Sequence, residues 1–115
     1  MNIKIYHNPR CSKSRQTLGL LERETNDFKI IEYLKNPLSF DEIKKIVEKL
    51  SIKPIDLVRK HEQIWKDNYK EKEMTDAEII KAMEKNPKLI ERPIVINEKQ
   101  GIIGRPPEKV LSLFD

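Results

Sequence analysis

Hydrophobic and polar positions change period several times along this chain, and each change marks an element. Residues 2–6, NIKIY, alternate polar and apolar and predict a strand. Asn8-Pro9 predicts a turn. From about Ser12 the spacing becomes helical, with Leu18 and Leu21 on one side, joined by Thr17 and Leu20. Residues 28–33, FKIIEY, predict a second strand, so the start reads strand–helix–strand, a crossover that makes the two strands parallel and right-handed. SFDE at 39–42 is a capping box, with Ser39 as N-cap and Glu42 at N3. Its helix runs to about Leu50 and carries Ile43, Ile46, Val47 and Leu50 on one face. Pro54 suits the first turn of a short helix bearing Ile55, Leu57 and Val58. Charge dominates 60–73, an exposed helical or irregular segment in which Trp65 and Tyr69 stand at i, i+4. Their expected role is to pack this segment onto the sheet, with contact to a partner as the alternative. TDAE at 75–78 is a second capping box, followed by Ile79, Ile80 and Met83, and Asn86-Pro87 ends that helix. PIVIN and GIIG, separated by EKQ, predict a β-hairpin. Pro106 and Pro107 open a last helix with Val110, Leu111 and Phe114 expected to face inward.

The order β-α-β, helical block, β-β-α is specific. A βαβ unit and a ββα unit can share one four-stranded mixed sheet with helices on its faces. This predicts an α/β fold of thioredoxin-like layout. The 115 residues form one domain, with a core of 1–38 and 91–115 and a helical insertion of about 39–90.

Composition narrows the function. Charged residues are 37% of the chain, above the roughly 25% of ordinary domains, so most of them solvate helix faces. The net charge of +4 is spread among interleaved acids and lysines, and aromatics are 6%, which argues against a nucleic-acid partner. No apolar run approaches the roughly 18 residues of a membrane span. The start lacks a signal-peptide pattern. A cytoplasmic monomer without membrane attachment is expected. One cysteine and two histidines exclude an internal disulfide and a multi-cysteine zinc site, so no bound metal or cofactor is expected.

That cysteine, Cys11, lies in YHNPRCSKSRQTL, at a turn that ends on a helix start. A helix N-terminus favours an anion, by roughly 0.3–1 kcal/mol and at most about 2. Making a thiol of ordinary pKa, about 8.5, mostly thiolate at pH 7 takes roughly 2.7 kcal/mol. Nearby cations must supply the remainder, and Arg10, Lys13, Arg15 and a protonated His7 are the local ones. Free cysteines are often buried filler, whereas these polar flanks favour a nucleophile, and the stretch alone leaves both readings open. Ser14 stands where a C-x-x-C motif has its second thiol. Arg15 is too close to Cys11 for a cysteine-phosphatase loop, and the three glycines form no phosphate-binding loop.

YHNPRCSKSRQTL, LVRK at 57–60, ERPIV at 91–95 and GRPPEKVL at 104–111 together resemble the glutaredoxin-linked arsenate reductase family of the thioredoxin superfamily. The resemblance spans nearly the whole chain in order. It implies that Cys11 attacks arsenate and that Arg59, Arg92 and Arg105 bind the oxyanion. It also implies that His7, Ser14 and Arg15 surround the nucleophile and that the Arg92–Pro93 bond is cis. Arginine suits a tetrahedral oxyanion because its planar fork donates paired hydrogen bonds and stays charged. With one thiol in the chain, the resemblance implies glutathione as co-substrate and glutaredoxin as partner. The chain has C-S-K-S-R where family members resemble C-G-T-S-R. Two other readings remain: a regulatory protein that binds RNA polymerase, and a thiol oxidoreductase acting on another oxyanion or on a glutathione mixed disulfide.

Overall fold

The computed structural model describes residues 2–114. Four strands, β1 (Ile3–Tyr6), β2 (Phe28–Ile31), β3 (Ile94–Ile96) and β4 (Gly101–Ile103), form one mixed sheet in the order β2-β1-β3-β4. β1 and β2 are parallel, with Ile3 opposite Phe28, while β1–β3 and β3–β4 are antiparallel. Period-two alternation sorts their side chains between two cores. Ile3, Ile5 and Val95 point to one face, beneath α1 (Ser12–Glu24) and the C-terminal 3-10 helix Pro107–Phe114. Tyr6, Ile94 and Ile96 point to the other, beneath the helical block. The central strand β3 is therefore apolar and buried at three consecutive positions.

The helical block contains α2 (Phe40–Leu50), the 3-10 turn Pro54–Leu57, α3 (Gln63–Asn68), α4 (Asp76–Lys85) and the 3-10 turn Pro87–Leu89. Both capping boxes form: Ser39 accepts from the Glu42 N–H and Thr75 from the Glu78 N–H, each Glu carboxylate returning to the cap N–H. α2 buries Ile43, Ile46 and Val47, and α4 buries Ile79, Ile80, Ala82 and Met83. Trp65 is buried in this core and stacks on Tyr69 with ring centroids 5.4 Å apart, so the aromatic pair packs the lobe. A cavity of about 580 Å³ borders that pair and shares no lining residue with the cysteine turn. Among the described residues no helix is long and apolar enough to cross a membrane.

The last helix departs from expectation in its inward face. Pro107, Val110 and Leu113 are buried, whereas Leu111 is exposed and Phe114 only partly covered. The 3-10 form repeats every three residues, so the inward stripe runs i, i+3, i+6 and not at the 3.6-residue spacing assumed from the sequence.

One close contact locks α1 to the hairpin. A Cβ on Gly104 would lie 2.5 Å from Thr17 Oγ1, 2.9 Å from Thr17 Cγ2 and 3.0 Å from Pro93 Cγ. Gly104→Ala should therefore destabilise the fold by about 1–3 kcal/mol through overpacking. Urea denaturation checks this, and an unchanged midpoint would contradict it.

Candidate active site

The pairing directions decide what meets at one end of the sheet. β1, β2 and β4 finish there and β3 begins there. The segments that follow Tyr6, Ile31 and Ile103, and the one that precedes Ile94, are thus neighbours: His7–Cys11, Tyr33, Gly104–Arg105 and Arg92–Pro93.

His7 extends β1 by donating its N–H to Ile31 O at 2.8 Å. The chain then turns, with Cys11 N–H on Asn8 O and Arg10 N–H on Asn8 Oδ1, both at 3.0 Å. Cys11 is the N-cap of α1, in extended conformation, and its side chain makes no capping hydrogen bond. Its carbonyl accepts from the Arg15 N–H at 3.0 Å. The half-buried thiol thus sits beside first-turn N–H groups that have no acceptor within the helix.

A buried polar tie fixes this turn. Ser14 Oγ lies 2.6 Å from His7 Nδ1 and accepts from the Asn8 N–H at 3.0 Å. The hydroxyl can still either donate to Nδ1 or accept from it, so the contact holds the ring in place in either tautomer of neutral His7. Burial pushes the His7 pKa below its ordinary value; Glu32 pulls it back up and Arg15 pushes it further down. The protonated His7 expected as a counter-charge is therefore disfavoured at neutral pH, because a cation is poorly solvated in this pocket. Arg15 donates through Nη1 to Pro9 O at 2.9 Å, within the cysteine turn. Arg10 and Lys13 are exposed.

The three distant arginines arrive by backbone constraints. Val58 pairs with Ile90 in an isolated antiparallel bridge. Arg59 N–H donates to Leu89 O at 2.7 Å and Glu91 N–H to Leu57 O at 2.9 Å, which sets Arg59 beside Glu91 and Arg92. The Arg92–Pro93 bond is cis, as is Arg105–Pro106, which the sequence reading did not anticipate. Gly104 N–H donates to Pro93 O at 2.9 Å, and Arg105 Nη1 donates to Arg92 O at 3.2 Å. The Arg59 guanidinium contacts Glu62 at 3.0 Å and donates to His61 Nε2 at 2.9 Å.

What these arginines leave unused is as informative as what they bond. Arg59 Nε, Arg92 Nε and Arg92 Nη1 are buried and have no hydrogen-bond partner among the described residues. A buried donor without an acceptor costs about 1–3 kcal/mol, and more for a charged group. Three such donors on two neighbouring cations suit a tetrahedral oxyanion, which offers acceptors in several directions.

Two residues of this site escaped sequence reasoning. Tyr33 is buried, and its hydroxyl is pushed upward by burial, pulled down by Arg59, and raised by Cys11 and Glu91. It lies within electrostatic reach of both the thiol and the arginine group. Glu91 is the other. Tyr33 read as the tail of a strand, and Glu91 stood in the ERPIV motif without a role, although its place beside Arg92 was the available signal.

The folded state favours neutral His7, so its contribution to stability is complete above the unfolded pKa of 6.5 and is lost as pH falls through that value toward the lower folded one. Thermal melts from pH about 7 to about 5.5 should show this loss, and His7→Gln should flatten it. An equally steep decline in the variant would refute the assignment.

Comparison with known proteins agrees with this architecture. The ArsC family model matches residues 6–113. An arsenate reductase of Haemophilus influenzae is 43% identical, over 99% of this chain and 100% of its own. The uncharacterized protein YfgD of Escherichia coli K12 is 40% identical, over 96% of this chain and 95% of its own. The solved structure of an arsenate reductase from Vibrio cholerae superposes with a TM-score of 0.91 at 41% identity, covering 97% of each chain. The family model spans nearly the whole chain and these relatives share 40% or more of its residues, so this chain belongs to the ArsC family.

Proposed function

We propose that the protein reduces arsenate to arsenite, with Cys11 as the nucleophile and Arg59, Arg92 and Arg105 binding the oxyanion. The observation that carries this is the set of buried, unpartnered donors on Arg59 and Arg92 at the sheet end that bears Cys11. Named arsenate reductases of about 40% identity across the chain support the substrate.

Each residue has a defined task in this reading. The Cys11 thiolate attacks arsenic, forming a sulfur–arsenic bond while one arsenic–oxygen bond breaks and that hydroxyl, taking a proton from solvent, leaves as water. The arginines offset the negative charge of substrate and intermediate, acting most strongly where water is excluded. Ser14 and neutral His7 hold the turn that aims the thiol, and Pro93 shapes the wall opposite. Arg15 contributes a more distant positive charge.

Electron balance brings in external thiols. Arsenic(V) becomes arsenic(III) as two thiols are oxidised to one disulfide. This chain has a single thiol. In this reading the thiol of glutathione attacks the Cys11 sulfur, the sulfur–arsenic bond breaks with its electron pair going to arsenic, arsenite leaves, and glutaredoxin reduces the resulting Cys11–glutathione disulfide to regenerate the thiol.

Cys11→Ser should abolish arsenate reduction assayed with glutathione and glutaredoxin, and retained turnover would sink the mechanism. Arg92→Lys keeps the charge and loses the paired donors. Its KM for arsenate should rise about tenfold or more, the worth of one charge-assisted hydrogen bond. An unchanged KM would remove Arg92 from the binding set.

A further inference from the structure

Glu91 stands among the three arginines, and the proposed reaction gives it no task. Its Oε1 accepts from the Arg92 backbone N–H at 3.1 Å, which fixes the side chain. The same oxygen lies 3.7 Å from Arg59 Nε and 3.9 Å from Arg105 Nη1. Those two separations exceed a hydrogen bond. They are charge contacts and not hydrogen bonds: Arg105 Nη1 donates instead to Arg92 O, and Arg59 Nε has no hydrogen-bond partner among the described residues. Glu62 already engages the other edge of the Arg59 guanidinium through Nη1. Glu91 is thus the carboxylate on the Nε edge, where the donor is unused.

We propose that Glu91 sets the charge of the arginine pocket: its carboxylate is a resident counter-ion to Arg59 and Arg105 that weakens their hold on a bound oxyanion. This rests on reading the pocket as an oxyanion site. A turnover site must release its product as well as capture its substrate. Uncompensated guanidinium groups at one sheet end would hold any small anion tightly and would also repel one another in the empty pocket. A fixed carboxylate within 4 Å of two of them opposes both effects, because Coulomb attraction at that range is strong where solvent screening is partial. Glu91 is suited to staying in place. Its backbone is tied to Leu57, and its carboxylate is held by the neighbouring peptide N–H and not by the cations alone.

A purely structural role predicts the opposite outcome, since loosened arginines would bind an anion less well. The test uses iodoacetamide alkylation of Cys11, the sole thiol, and the arsenate concentration that half-protects it at fixed pH and ionic strength. Glu91→Gln keeps the length and an oxygen for the Arg92 N–H but removes the charge. Its half-protecting arsenate concentration should fall about three- to tenfold. Glu91→Asp keeps the charge and should stay within about twofold of wild type on the same grounds. An unchanged or raised value in Glu91→Gln, or an equal fall in Glu91→Asp, would overturn the proposal. A wild-type Cys11 that arsenate does not protect at all would overturn the oxyanion reading itself. Protection of the wild type with an unmoved value in Glu91→Gln would overturn the role of Glu91 alone.

Discussion

The antiparallel pairing of β1 with β3 is the constraint on which the rest depends. Tyr6 stands opposite Ile94, so the chain leaving β1 and the chain entering β3 meet at one end of the sheet. That pairing is what brings His7 and Cys11 to the same end of the sheet as Arg92 and Pro93. The register is enforced by apolar sorting: a one-residue slip of β3 would turn Val95 into the core that holds Ile94 and Ile96 and bring those two into the opposite one. Packing at the centre of the sheet and chemistry at its end are consequences of one alignment.

Local signals were legible because their causes are local. Both capping boxes, the Asn-Pro turn and the hairpin at 93–104 follow from residues a few positions apart, and all of them form. The inward face of the last helix was misjudged because its choice of a 3-10 repeat is made by docking on β4 and α1, which no short window contains. Arg59 belongs to the same class. Its position rests on the Val58–Ile90 bridge, so only its motif, and not its pattern, marked it in the sequence. Tyr33 was missed because a tyrosine at the end of a predicted strand carries no signature of its own, and Glu91 because in a chain this charged only its place in the ERP motif set it apart.

Abundant positive charge does not by itself make an anion site. The lysines here are mostly exposed, where water and salt screen them. Arg59 and Arg92 differ in being held by backbone pairing and by a turn, with donors buried and unspent. Burial raises the strength of each such interaction and also the cost of leaving it unmade. A small domain bears that cost at one place only if the ligand recovers it, which is why unused donors point to a binding site more sharply than net charge does.

Ser14 shows how the same turn excludes another chemistry. In a dithiol protein the position three after the nucleophile would carry the second sulfur. Here that side chain is fully buried, and its oxygen is occupied by His7 and by the Asn8 N–H. A hydroxyl in this place makes two hydrogen bonds, at 2.6 and 3.0 Å, that a thiol, a weak donor and weak acceptor, would make poorly. The residue that could have closed an internal disulfide instead secures the geometry of the turn. On the proposed mechanism, the precision with which Cys11 is held and its need for an external thiol have a single cause.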